Sequence, residues 1–155
     1  MNIKLREIID NDIYAIYELS NLPSTRKYSL NSNTIDWKAH SEWFQNMIKD
    51  DDCLILVVNN GNGTLLGQVR FEIDNDIADI SISLTDEIKG RGYALDILQK
   101  SQDILLMKRE IKKIIATINN ENAASIKLFQ KAGYLLSEVR IKFSKYVLFL
   151  GGSNE

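Results

Sequence analysis

Histidine, cysteine and proline each occur once in this chain of 155 residues. A lone cysteine, Cys53, excludes an internal disulfide framework. It opens an apolar run through Val58, where it reads as a buried strand residue rather than a reactive thiol. With only His40 beside it in the inventory, a Cys/His zinc site is excluded, and no metal is expected. The single proline, Pro23, leaves no Pro-rich spacer to divide the chain. No apolar run approaches the ~20 residues that span a bilayer. The start, Met1 to Arg6, lacks the apolar stretch of a signal peptide, so a cytoplasmic protein without membrane contact is expected. A net charge of −2 provides no strong field for nucleic acid.

What is present fits one compact domain over residues 1–155, large enough for a real core. A short strand, Ile3 to Ile8, leads to a helix carrying Ile13, Ile16, Tyr17 and Leu19, with Asp10 to Asp12 as N-cap choices. Ser20 to Thr34 is polar and irregular, long enough to suggest a binding loop. In a second helix, about Asp36 to Lys49, His40, Trp43, Phe44 and Met47 share one face. Three strands follow: Cys53 to Asn59, Thr64 to Asp74 and Ile77 to Leu84, joined through Asn60-Gly61-Asn62-Gly63 and Asn75-Asp76. The third places Ile80, Ile82 and Leu84 on one face, and Asp79, Ser81 and Ser83 on the other. A helix over Tyr93 to Lys108, a strand over Lys113 to Ile118 and a helix over Ala123 to Lys131 come next. Strands over Tyr134 to Val139 and Lys142 to Leu150 finish the chain. The order β-α-α-β-β-β-α-β-α-β-β is an α+β pattern with a mixed sheet. The last strand is apolar enough to meet a partner subunit or to lie inside the sheet.

The loop Lys89-Gly90-Arg91-Gly92-Tyr93-Ala94-Leu95 is the most informative segment. Two glycines permit a tight turn, and the helix that follows points free N–H groups and its dipole at the loop. Lys89 and Arg91 add charge, so this is a candidate phosphate or pyrophosphate cradle. The P-loop pattern is absent. A dinucleotide fingerprint fails at Leu95 and at its position after a three-strand meander.

Lys89 to Ala94 resembles the acetyl-CoA loop Q/R-x-x-G-x-G/A of the GNAT family of N-acetyltransferases, with Lys in the first place. Downstream, Asn122, Ser125, Leu128, Phe129, Gly133 and Tyr134 resemble that family's second motif, N-x-x-A/S-x-x-L-Y-x-x-x-G-F. The resemblance covers essentially the whole chain. It implies a central, mostly antiparallel sheet of about seven strands flanked by four helices. It implies acetyl-CoA as co-substrate, with the pantetheine arm in a gap between the third meander strand and Lys113 to Ile118. There the arm would pair with the backbone of Ile82, Ser83 and Leu84, and the pyrophosphate would sit on the N–H groups of Gly90 to Leu95. Asn122, Ser125 and Phe129 would flank it. Asn122 also reads as a plain helix N-cap, and Ser125 as a small buried helix residue.

Phe129 stands where many family members carry a Tyr proton donor. Tyr134, Tyr146 and Ser125 are the hydroxyls that could replace it. Catalysis is therefore expected to rest on positioning and on polarising the thioester carbonyl. The acceptor amine must lose a proton, which a carboxylate can take. A two-residue turn at Asn75-Asp76 sets Glu72 opposite Asp79, where facing carboxylates raise one pKa; Arg70 lies diagonally near. A solvated strand face is the other reading. Cys53 is on the wrong strand to carry an acyl group, so transfer to the amine should be direct.

His40 is either a packing residue or part of an acceptor pocket with Trp37, Arg26, Tyr28 and Arg70. The segments Arg26 to Phe44, Gln68 to Phe71 and Ile80 to Leu84 further resemble the acetyltransferases of 4-amino nucleotide sugars in the pseudaminic acid pathway. That implies a nucleotide-sugar amine as acceptor. A protein N-terminal amine, as in ribosomal-protein acetyltransferases, is the alternative, and a non-catalytic acetyl-CoA-binding module is a third reading. Monomer and homodimer both remain open.

Overall fold

The computed structural model describes residues 2–151. The two ends of the single domain expected over 1–155, residue 1 and residues 152–155, lie outside the described residues. Seven strands form one sheet: β1 Lys4–Glu7, β2 Cys53–Asn59, β3 Leu65–Asp74, β4 Ile77–Leu84, β5 Lys113–Asn119, β6 Leu135–Glu138 and β7 Phe143–Phe149. Their spatial order is β1-β2-β3-β4-β5-β7-β6. Every pair is antiparallel except β4 with β5. The last strand is thus an inner one, between β5 and β6, and β6 is the edge.

Five α-helices accompany the sheet: α1 Ile13–Ser20, α2 Pro23–Arg26, α3 Trp37–Lys49, α4 Tyr93–Lys108 and α5 Ala123–Lys131. The fifth helix beyond the expected four is α2, one turn inside the stretch read as irregular. Pro23 starts it at a position where the missing N–H costs nothing. Asp12 does not cap α1 with its side chain. It accepts two hydrogen bonds from the Arg6 guanidinium, at 2.9 and 2.8 Å, and one from the Ile9 amide at 2.8 Å. Asp36 does cap α3, accepting from the Ala39 amide at 2.8 Å.

Alternation along the meander separates two faces. Val69, Phe71 and Ile73 of β3 join Leu54, Leu56 and Val58 of β2 in the main core, closed by Ile97, Leu98 and Leu105 of α4. Each such side chain contributes roughly 1.5–3 kcal/mol by leaving water. Gln68, Arg70 and Glu72 point to the other face, where α3 brings Trp43 to 5.2 Å beneath the Arg70 guanidinium. A smaller core of Ile16, Leu19 and Phe44 ties α1 to α3 on that side.

One glycine is required by closeness. A Cβ on Gly67 would stand 2.6 Å from the Ser83 carbonyl oxygen, so β3 and β4 approach there as only glycine allows. The turn between them is the expected two residues, with Asn75 at φ 57 and Asp74 paired to Ile77.

Candidate functional site

The parallel pairing of β4 with β5 runs from Ile77↔Lys113 to Ile80↔Ala116 and stops. Beyond it β4 stays paired to β3 as far as Leu84, and β5 to β7 as far as Asn119. The sheet is therefore open between Ser81–Leu84 and Thr117–Asn119, with backbone groups on both sides free to meet an extended ligand. A cavity of ≈ 1750 Å³ occupies this opening and reaches α2 and α3 on one side and α4 and α5 on the other.

At the α4 end, Gly90 and Gly92 hold φ of 72° and 84°, the left-handed region. A Cβ at either would meet nothing within 4 Å, so these glycines serve the turn and leave the space in front of it clear. Gly92 is the N-cap of α4 and has no side chain to bond the first amides, which stay unsatisfied. Gly90, Gly92, Ala94 and Leu95 border the cavity, as does Lys89, whose ammonium lies 3.5 Å from Asp86. Arg91 and Tyr93 do not border it; Tyr93 packs against the main core instead. A diphosphate fits this cradle on charge, clearance and free donors together.

Ile82, Ser83 and Leu84 border the opening from β4, and Asn122, Ser125 and Phe129 from α5. Asn122 caps α5 by accepting from the Ser125 amide at 3.2 Å, so the N-cap reading holds at this residue and leaves it in the cavity wall. Phe129 packs edge-on against Tyr134, with ring centroids 4.9 Å apart.

Tyr134 is misplaced as a proton donor. It is 1 % exposed, is not part of the wall, and donates to Gln102 Oε1 at 2.6 Å. Burial pushes its hydroxyl pKa well above the ordinary value, so it holds its proton in the core. Tyr146 is buried and also away from the wall, leaving Ser125 as the hydroxyl of the three that borders the cavity.

Glu72 and Asp79 face each other across β3 and β4. Both border the cavity. The Asp79 pKa is raised, first by loss of water around its carboxyl and then by Glu72; Lys145 opposes and Asp74 adds to the rise. Arg70 leans on Glu72 at 3.2 Å and reaches toward the Ser81 hydroxyl at 3.4 Å.

The acceptor-side residues divide. Arg26 and Tyr28 border the cavity, but the Arg26 terminal nitrogens bond the carbonyls of Asn31 and Asn33 and the Ser29 hydroxyl, folding the loop after α2. His40 touches the wall yet is 2 % exposed, and its Nε2 donates to the Ile13 carbonyl at 2.8 Å. Burial holds its pKa below the ordinary value, against the opposing pull of that carbonyl. Trp37 is outside the wall, stacked on Tyr14 with centroids 5.0 Å apart. Trp43, one helical turn and a half along α3, takes the wall position instead. Gln68, Thr117 and Lys145 also border the cavity; the sequence reading missed them because their membership depends on the opening between β4 and β5. Cys53 is half-buried, and burial, only partly offset by Arg70, pushes its thiol up to about 11. Among the described residues no cluster of His, Cys, Asp and Glu could hold a metal ion. No helix among them is long and apolar enough to cross a membrane.

An acetyltransferase (GNAT) domain model matches residues 2–135. Spermidine N-acetyltransferase of Vibrio cholerae, solved with CoA and spermine, superposes with a TM-score of 0.85 at 20% identity, covering 96% of this chain and 95% of that one. A dodecameric structure of spermidine N-acetyltransferase from the same organism gives 0.78 at 20% identity, over 96% and 94%. A domain from Methanocaldococcus jannaschii gives 0.83 at 21% identity, over 96% and 99%. At such identities these likenesses are likenesses of fold. No curated protein sequence matches the chain.

Proposed function

The chain belongs to the GNAT acetyltransferase family and is an acetyl-CoA-dependent N-acetyltransferase, and from that premise we propose that it moves the acetyl group directly to a small-molecule amine in the cavity between β4 and β5. The observation that carries this reading is the end of β4–β5 pairing at Ile80↔Ala116, beside the uncapped start of α4. Acetyl-CoA supplies the activated acetyl thioester when bound. The amides of Gly90 to Leu95 bind its diphosphate, and the free backbone of Ile82 to Leu84 pairs with the pantetheine arm. Asn122 and Ser125 flank that arm, and Phe129 gives it an apolar wall. Unpaired amides of β4 beyond Ile80 are placed to polarise a carbonyl. Asp79, with Glu72 opposite, takes the proton from the acceptor amine. Ser125 or water protonates the departing thiolate. The single sheet that joins all seven strands supports one domain over the described residues.

The acceptor side carries Lys27, Arg70 and Lys145 against Glu72 and Asp79. That balance supports an amine with an anionic portion, such as a nucleotide-linked amino sugar, with Trp43 rather than Trp37 as the aromatic face. A polyamine is the second reading: the Glu72–Asp79 pair would attract a cation, and the Vibrio cholerae neighbour is named for spermidine. A protein N-terminal amine is a weaker third. The exposed Leu135, Leu136, Val139 and Ile141 at the β6 edge support a homodimer over a monomer.

Thermal unfolding with and without acetyl-CoA is the test. Ligand at 100 times its dissociation constant should add about 2.7 kcal/mol of stability. A further shift with a nucleotide amino sugar, or with spermidine, identifies the acceptor class. No shift with acetyl-CoA removes the cradle assignment.

A further inference from the structure

The turn between β2 and β3 contains two Asn-Gly steps in succession, Asn60-Gly61 and Asn62-Gly63. At such a step a chain can attack itself. The backbone nitrogen of the second residue approaches the side-chain carbonyl carbon of the first, and glycine puts no Cβ in its way. In a folded protein the outcome depends on whether that nitrogen and that side chain are already engaged in hydrogen bonds.

The two steps differ in this respect. At the first, the Gly61 amide donates to Asn59 Oδ1 at 2.9 Å. Asn60 Oδ1 accepts from the amides of Asn62, at 2.9 Å, and Thr64, at 3.3 Å. Attacking nitrogen and attacked side chain are both held. At the second step, neither the Gly63 amide nor the Asn62 side chain has a hydrogen-bond partner among the described residues. Asn62 and Gly63 are exposed. Beyond its chain neighbours, no atom lies within 4 Å of the place a Cβ on Gly63 would take.

We propose that Asn62 is a site of spontaneous deamidation in the folded protein and that Asn60 is protected from it. The Gly63 nitrogen gives up its proton to hydroxide and bonds to Cγ of Asn62. The bond from Cγ to the side-chain nitrogen breaks, and that nitrogen takes a proton from water and leaves as ammonia. Water then opens the cyclic imide at either carbonyl, which leaves aspartate or isoaspartate at position 62. No oxidant or reductant enters. Each event adds a negative charge at neutral pH to a chain whose net charge is −2. None of residues 59–64 borders the cavity, so the reaction leaves the acetyl-transfer site intact and the inference does not depend on that site.

The experiment incubates the full chain at mildly alkaline pH, native and in urea, and follows both asparagines by peptide mapping. Mass spectrometry reads amide-to-acid conversion, and methylation by an isoaspartyl methyltransferase reads the isoaspartate. In the native protein Asn62 should convert faster than Asn60 by about tenfold or more, because hydrogen bonds must open before the Asn60 ring can close. In urea, where those bonds are gone, the two should convert at similar rates. Asn62→Gln should abolish the acidic species that ion exchange resolves from the aged native protein, with Tm unchanged. Equal native rates, faster conversion of Asn60, or an acidic species that persists in Asn62→Gln overturns the proposal. So does a native Asn62 that stays intact while the urea-unfolded chain converts.

Discussion

Glu72 and Asp79 occupy one register position on adjacent strands and share the face that borders the cavity. Loss of water around the Asp79 carboxyl, and after it the charge of Glu72 opposite, raises the Asp79 pKa. A raised folded pKa means that the native state holds the proton longer than the unfolded one. The associated stability is present below the unfolded value and is lost as pH rises through the folded value. Asp79→Asn should therefore leave stability at neutral pH equal or higher. As general base, Asp79 must be ionised to act, so the acid limb of kcat/KM should lie above the ordinary aspartate range. Asp79→Asn should lower the rate by about 10²-fold or more and remove that limb. A pH–rate profile of both proteins checks it, and an unchanged limb would assign the base elsewhere.

Tyr134→Phe distinguishes core from chemistry. The hydroxyl lost is the partner of Gln102 Oε1, so about 1–3 kcal/mol of stability should go with it. For a chain of this length that is a fall of several degrees in Tm, at ~2–4 °C per kcal/mol. Acetyl transfer at a temperature where both proteins are folded should be unchanged. A large loss of kcat without loss of Tm would return Tyr134 to the mechanism.

Gly92→Ala probes the cradle. Its left-handed φ of 84° makes any side chain strained, by about 1–2 kcal/mol, although no protein atom is near a Cβ there. The proposed diphosphate occupies that clear space, so acetyl-CoA affinity should fall more than folding stability does. Calorimetric titration beside thermal unfolding separates the two. Equal losses would mean a purely conformational glycine.

Gly67→Ala should act through space instead. Its Cβ meets the Ser83 carbonyl at 2.6 Å, a contact relieved only by moving β4 from β3. A cost of roughly 1–3 kcal/mol is expected. Because Ser83 borders the cavity, KM for acetyl-CoA should rise as well. Denaturant unfolding and steady-state kinetics measure the two effects.

Asp12→Ala tests the tie between β1 and the start of α1. Burial alone would raise the Asp12 pKa, but the bonds from Arg6 and Ile9 outweigh it and the net shift is downward. Stability from such a group is present above its unfolded pKa and is lost as pH falls through the folded one. The variant should lose about 1.5–3 kcal/mol at neutral pH, and the difference from wild type should shrink as pH falls through the lowered folded pKa, read from urea midpoints across the acid range.

Periodicity and turn chemistry sufficed for the meander: β2 and β4 fall where alternation and the Asn75-Asp76 turn place them, and α4 spans the expected Tyr93 to Lys108. They also sufficed for the Gly90–Gly92 turn, because a left-handed backbone leaves its mark on residue type. They failed for α2, since one helical turn has no period to detect. They failed for Tyr134 and Trp37 because which way an aromatic ring turns is decided by partners distant in sequence, Gln102 in one case and Tyr14 in the other.

The gap beyond Ile80↔Ala116 gives the native state an interior seam whose closure depends on something the chain does not itself encode. Backbone groups that a continuous sheet would have joined stay available, and with acetyl-CoA in the proposed position they would gain partners that the chain itself lacks. When acetyl-CoA is scarce, the seam should breathe, admitting proteases and deuterium at Ser81–Leu84 and Thr117–Asn119 first. When it is abundant, the same segments should be among the slowest to exchange. The lifetime of the protein would then follow the metabolic supply of the compound it consumes.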